Sequence, residues 1–216
     1  MLVQSLEWEN NMIKRILKEL KAHAPFTVFG AFTGIVIMIF FSKLPYRVSH
    51  NIFYVLHPLH VLLSALVTSA MYKIHKCKDG RIKCNIWVLL IIGYVGSVGI
   101  ATISDSIIPY IGEALLKMPN RDFHLGFIEK WWLVNPLAVI GIAIAYFKPT
   151  TKFPHSMHVL VSTWASLFHI IMALGSNLNW LTYIVISFFL FIAVWIPCCV
   201  SDIVFPLLFV QNSKDR

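Results

Sequence analysis

The chain has 216 residues, of which 58% are hydrophobic and 13% charged, with a formal net charge of +8 and a mean hydropathy of +0.74. A soluble domain of this size is about a quarter charged, so composition excludes an ordinary globular enzyme and points to an integral membrane protein. The basic residues lie between apolar stretches rather than on one solvated face. Nucleic acid is therefore not an expected partner, and the lipid bilayer is.

Residues 1–25 carry Lys14, Arg15, Lys18 and Lys21 interleaved with Leu6, Ile13, Ile16, Leu17 and Leu20. That spacing predicts an amphipathic helix lying at the membrane interface. No short apolar run with a small-residue cleavage site precedes the first long apolar stretch, so a signal peptide is not expected.

Six apolar stretches follow, with cores at 26–42, 52–72, 86–109, 132–147, 156–175 and 180–209. One crossing takes about 20 apolar residues, so the expected fold class is all-α: a polytopic membrane protein with six transmembrane helices. The fourth stretch is short and begins near Trp131 and Trp132, residues suited to a membrane–water interface. The last is too long for one straight crossing and contains Pro197 and Pro206, which predicts a kinked or broken helix.

Orientation follows from the basic residues. The N-terminal segment, second loop, fourth loop and tail hold 4, 5, 2 and 2 Lys or Arg, against 2, 3 and 0 in the first, third and fifth loops. Positive charge stays inside, so both termini are expected in the cytoplasm, in a cell or inner membrane. Cys77 and Cys84 flank the loop "KDGRIK" on that side, where free thiols are expected rather than a disulfide.

The chain repeats itself. "HPLHVLLS" at 57–64 returns as "HSMHVLVS" at 155–162, pairing His57, His60, Val61, Leu62 and Ser64 with residues 98 positions later. Thr68 faces Ser166 at the same offset, and "SDSIIP" at 104–109 meets "SDIVFP" at 201–206 at an offset of 97. Leu and Val pairings are cheap in a membrane protein; paired His and Asp are not, and they argue for duplication. The expected organisation is a first three-helix repeat at 26–112, a linker at 113–130, a second repeat at 131–210 and a tail at 211–216. Three crossings per half require the second half to enter from the opposite side. That makes a 3+3 inverted repeat, an architecture common in transporters, whose sites lie at the repeat interface.

The repeated residues are the ones a bilayer penalises. An ionisable side chain at mid-membrane costs about 2.5–3.5 kcal/mol on insertion scales. Eight of the ten acidic residues are assigned to loops or tails, leaving only Asp105 and Asp202 in apolar spans, and these two are repeat partners. Residues three apart on a helix share a face, which groups His57 with His60 and His155 with His158. Imidazole with carboxylate suits Zn, Fe, Mn, Co or Ni. The expected metal ligands are His57, His60, Asp105, His155, His158 and Asp202, as one shared site or two. Ser64, Ser104, Ser162 and Ser201 are expected to orient them by hydrogen bonding. His169 reads as an ordinary packing histidine. Cys198, opposite Ala101 in the first half, is a candidate ligand confined to the second.

The leading functional expectation is a transporter, secondary or channel-like, for a divalent transition-metal cation, since no nucleotide-binding motif is present. The alternative is an intramembrane metal-dependent enzyme acting on a lipid, either a hydrolase or a di-iron oxidoreductase. A b-type haem protein for electron transfer ranks third. The sequence leaves room for a homodimer.

Overall fold

The computed structural model describes residues 2–77, 85–174 and 179–211; the side chain of Asp202 lies outside the described residues. Among the described residues the chain is all-helical. The helices are α1 (Leu2–Phe41), α2 (Tyr46–Lys76), α3 (Ile86–Thr102), α4 (Ile108–Leu115), α5 (Gly126–Glu129), α6 (Trp131–Phe147), α7 (Lys152–Ala173), α8 (Trp180–Cys199) and α9 (Phe205–Gln211). Two π-helical turns, Ile103–Ile107 and Val200–Val204, join α3 to α4 and α8 to α9.

Among the described residues four helical segments are long and apolar enough to cross a membrane: Tyr46–Lys76, Ile86–Leu115, Pro154–Ala173 and Trp180–Cys198. Thr27–Phe41 and Trp131–Phe147 are apolar but shorter. The expected interfacial helix is not a separate element, because α1 runs unbroken from Leu2 to Phe41 with Pro25 inside it. The long last stretch does break, at the π turn after Cys199, while Pro197 stays within α8.

Local sequence explains the helix starts that matter most. The Asn85 side chain accepts from the Trp87 amide and opens α3. The Asn179 side chain accepts from the Thr182 amide and opens α8. Each supplies an acceptor for one of the amide groups that a first helical turn leaves unpaired.

The core forms around α2, which packs against α7, α6 and α3, while α1 covers α7 and α8. Small residues allow the closest approach. At Gly141 of α6 any Cβ would run into the Leu62 carbonyl of α2, so only glycine lets these backbones meet. Without a hydrophobic drive between helices in lipid, such close packing is a main source of cohesion. Buried Phe53, Met38, Leu167, Ile170, Ile186 and Leu190 fill the space between α1, α2, α7 and α8.

Cys77, at the end of α2, is disulfide-bonded. The expected free thiol is therefore overturned there. That expectation rested on compartment alone, which does not constrain whether two sulfurs meet; Cys84 lies outside the described residues.

Candidate metal centre

On α2 the stripe His57, His60, Ser64 and Thr68 turns wholly inward. The first π turn brings Asp105 to meet it. A π turn inserts an extra residue into the helical ladder and re-aims the side chains around it, and such turns recur at functional sites. Both "Ser-Asp" pairs, Ser104–Asp105 and Ser201–Asp202, fall within one of the two π turns.

The Asp105 carboxylate is fully bonded. Its Oδ2 accepts from His57 Nδ1 at 2.9 Å and from His60 Nδ1 at 2.7 Å. Its Oδ1 accepts from the hydroxyls of Ser104 at 2.7 Å and Ser162 at 3.0 Å. An ionised carboxylate can only accept, so both imidazoles carry their proton on Nδ1. In the neutral ring this leaves the Nε2 lone pair as the one available to a ligand, with the ring orientation fixed by the carboxylate. His60 Nε2 is buried with no hydrogen-bond partner among the described residues.

Cys198 and His158 stand beside it. The rings of His60 and His158 stack with centroids 5.1 Å apart and 10° between planes. One ligand atom each from His60, His158 and Cys198 lies within 4.8 Å of the others, and all three residues are buried. Two imidazoles and one thiol form a donor set for a transition metal. Asp105 orients His60 rather than standing in this set, and His57 does not join it. The Nε2 edge of His57 abuts Gly126, where an added Cβ would lie 2.5 Å away. His155 is half-buried, with its ring 5.6 Å from that of His158 and edge-on to it.

The serines bond reciprocally. Ser162 on α7 reaches Ser104 at 3.4 Å, and Ser64 on α2 reaches Ser201 at 3.2 Å. One helical turn on, the Ser166 hydroxyl donates to the Ser104 carbonyl at 2.9 Å, and the Thr68 hydroxyl to the Ser201 carbonyl at 3.4 Å. Ser104 and Ser162 thus hold the Asp105 carboxylate. Ser64 and Ser201 bond each other, with Thr68 also 3.0 Å from the Ser201 hydroxyl.

Sequence reasoning missed two groups. Glu113 was counted with the loop acids, but α4 extends past Pro109 and buries it. There it bonds His169 at 2.7 Å between Oε1 and Nδ1. The stripe 155, 158, 162, 166, 169 already pointed His169 inward; the missing signal was that α4 continues the third apolar stretch, with Glu113 as its one acid.

The second group closes one end of the bundle. Glu129 accepts from the Tyr54 hydroxyl and from the Leu125 amide, and sits 3.2 Å from His124 Nδ1. Burial pushes the Glu129 carboxyl up, yet the bonds from Tyr54, Leu125 and His124 together hold it below its usual range. His50, His124 and Glu129 also bring ligand atoms within 4.8 Å. Here, however, His124 and Glu129 are engaged with each other and with Tyr46 and Tyr54, and the Lys130 ammonium stands 5.4 Å over the Tyr54 ring. The cluster is a hydrogen-bonded mouth, open to the surface at Glu129.

No family model matches the chain, no curated protein matches it, and no solved structure resembles it.

Proposed function

We propose that this chain is a membrane transporter, secondary or channel-like, for a divalent transition-metal cation. The observation that carries the reading is the meeting of His60 from α2, His158 from α7 and Cys198 from α8 inside a bundle of apolar helices. Three donors leave coordination positions open, as a passing ion needs. A thiolate favours Zn, Co or Ni over the harder Mn. Polar groups line α2 from His50 to Thr68, a rise of about 27 Å against a hydrocarbon thickness of about 30 Å.

The two reciprocal pairs of serine and threonine bonds support the finer architecture, six crossings arranged as a 3+3 inverted repeat. A two-fold relation exchanges Ser64 with Ser162, Thr68 with Ser166 and Ser104 with Ser201, and each bond has its counterpart. On this reading the two shorter apolar helices complete the six. The basic loops favour both termini in the cytoplasm; the disulfide at Cys77 pulls the other way, since such bonds persist on oxidising sides. A reporter fused to the C-terminus decides between them.

The enzyme reading has one observation in its favour: three protein ligands with an open position also describe catalytic zinc. The haem reading has less, because His60 and His158 oppose their faces rather than their Nε2 edges.

Metal content and flux test the proposal together. Purified protein is expected to carry a divalent metal, lost in His60→Ala, His158→Ala and Cys198→Ser, and vesicles containing the protein to move that metal. Tight metal without flux, together with chemically altered lipid, gives the enzyme reading instead. Absence of any metal from unmutated protein sinks both.

A further inference from the structure

The pair of Glu113 and His169 lies deep in the bundle and takes no part in the metal set. Each residue is 1% exposed. One bond joins them, and it leaves Glu113 Oε2 and His169 Nε2 both buried with no partner among the described residues. A bare carboxylate oxygen in such surroundings is costly. With His169 neutral, the pair carries a net charge of −1. Adding one proton at His169 Nε2 makes it a neutral ion pair, and the atom that would receive the proton is the one left open.

A second imidazole stands nearby. The ring of His169 lies 5.4 Å from that of His124, in an edge-to-face arrangement. His124 is bonded through Nδ1 to Glu129, whose side chain is 37% exposed at the mouth, and through Nε2 to Tyr46. His169 Nε2 bonds neither nitrogen, so transfer between the rings needs one bridging water. On the other side Phe53 intervenes, edge-on to His169 at 5.4 Å and stacked on His57 at 5.3 Å. The ring of Phe53 separates the pair from the Asp105 cluster.

The titratable and charged groups around the pair come from several elements. His124, Glu129 and Lys130 belong to the segment around α5; His50, Tyr54 and His57 to α2; Asp105 to the π turn that precedes α4. From α8 the neighbour is apolar, Phe189 against Gly112.

We infer that Glu113 and His169 form a proton-carrying site, loaded and emptied through His124 and Glu129 and held apart from the metal ligands by Phe53. His124 passes a ring proton to a bridging water, an O–H bond of that water breaks as an N–H bond forms at His169 Nε2, and His124 recovers its proton from water beside Glu129. This deepens the transport reading and rests on it: binding a metal to imidazole and thiolate expels protons, and exchange of metal against protons needs a proton site with its own access.

Vesicles carrying an internal pH dye and a metal dye test it. Unmutated protein is expected to move protons against metal. Glu113→Gln is expected to keep its bound metal and let metal run downhill while the proton counterflow is lost; His169→Gln should match it, and Glu113→Asp should restore part of the counterflow. Undiminished counterflow in Glu113→Gln overturns the inference. Should that variant not fold, His124→Gln near the mouth must slow the counterflow, and an unchanged rate overturns the inference equally. If unmutated protein moves no metal, the transport reading falls on its own. The site is then judged by nitrogen NMR of labelled histidine, with His169→Gln identifying the signal: His169 must titrate reversibly between about pH 5 and 8, and a single protonation state across that range overturns it.

Discussion

α2 and α7 carry the same pattern of residues and pack against each other in the interior of the bundle. On α2, His57 and His60 both donate to Asp105, and the carboxylate is bonded on all sides. On α7, His158 stacks on His60 and meets Cys198, and His155 is half-buried. The serine bonds are reciprocal between the two helices, while the side chain of Asp202, which the sequence pairs with Asp105, lies outside the described residues. The candidate donor set draws on α2, α7 and α8, and its thiol has only Ala101 as counterpart.

The largest expected effect breaks the first half. Asp105→Ala leaves two imidazoles and two hydroxyls with a buried donor each, a loss of about 3–5 kcal/mol when one partner of a buried charged network is removed. Thermal unfolding in detergent reads it. Asp202→Ala is the companion measurement: an equal loss would mean that both carboxylates do the same work, and a clearly smaller one that only the Asp105 carboxylate holds its histidines.

A smaller effect isolates His57. Gly126→Ala places a Cβ against the His57 ring and should cost about 1–3 kcal/mol by overpacking. Because His60 keeps its own bond to Asp105, the metal content should survive. Loss of metal in this variant would put His57 back among the ligands.

The smallest effect compares the serines directly. Ser162 donates to a carboxylate and Ser64 pairs with a neutral hydroxyl. Ser162→Ala should therefore cost about 1.5–3 kcal/mol and Ser64→Ala about 0.5–1.5 kcal/mol. Equal losses would show that the two halves are energetically alike despite their different partners.

Much of this was legible in the sequence. The apolar stretches, the inward stripe on α2 and the meeting of Asp105 with His57 and His60 follow from spacing and from the cost of burying charge. The serines were expected to orient those residues; that Ser162 of α7 reaches the Asp105 carboxylate was not legible, because spacing says which groups share a face but not which atoms of another helix they meet. Glu113 was placed in the linker because the apolar stretch ends at 109; Pro109 lies in the first turn of α4, where a missing amide hydrogen costs nothing, so the helix runs on through Glu113.

The sequence by itself determined an all-helical chain for a lipid environment and the duplication of its costliest polar residues, since hydrophobicity and identity are properties of each position taken alone. Only the tertiary structure decided that His60, His158 and Cys198 come together, that Asp105 uses both oxygens as acceptors, and that Glu113 lies buried against His169. Those outcomes depend on how each helix is rotated and how closely it approaches its neighbours. That is settled by packing between segments far apart in the chain, as at Gly141 against the Leu62 carbonyl.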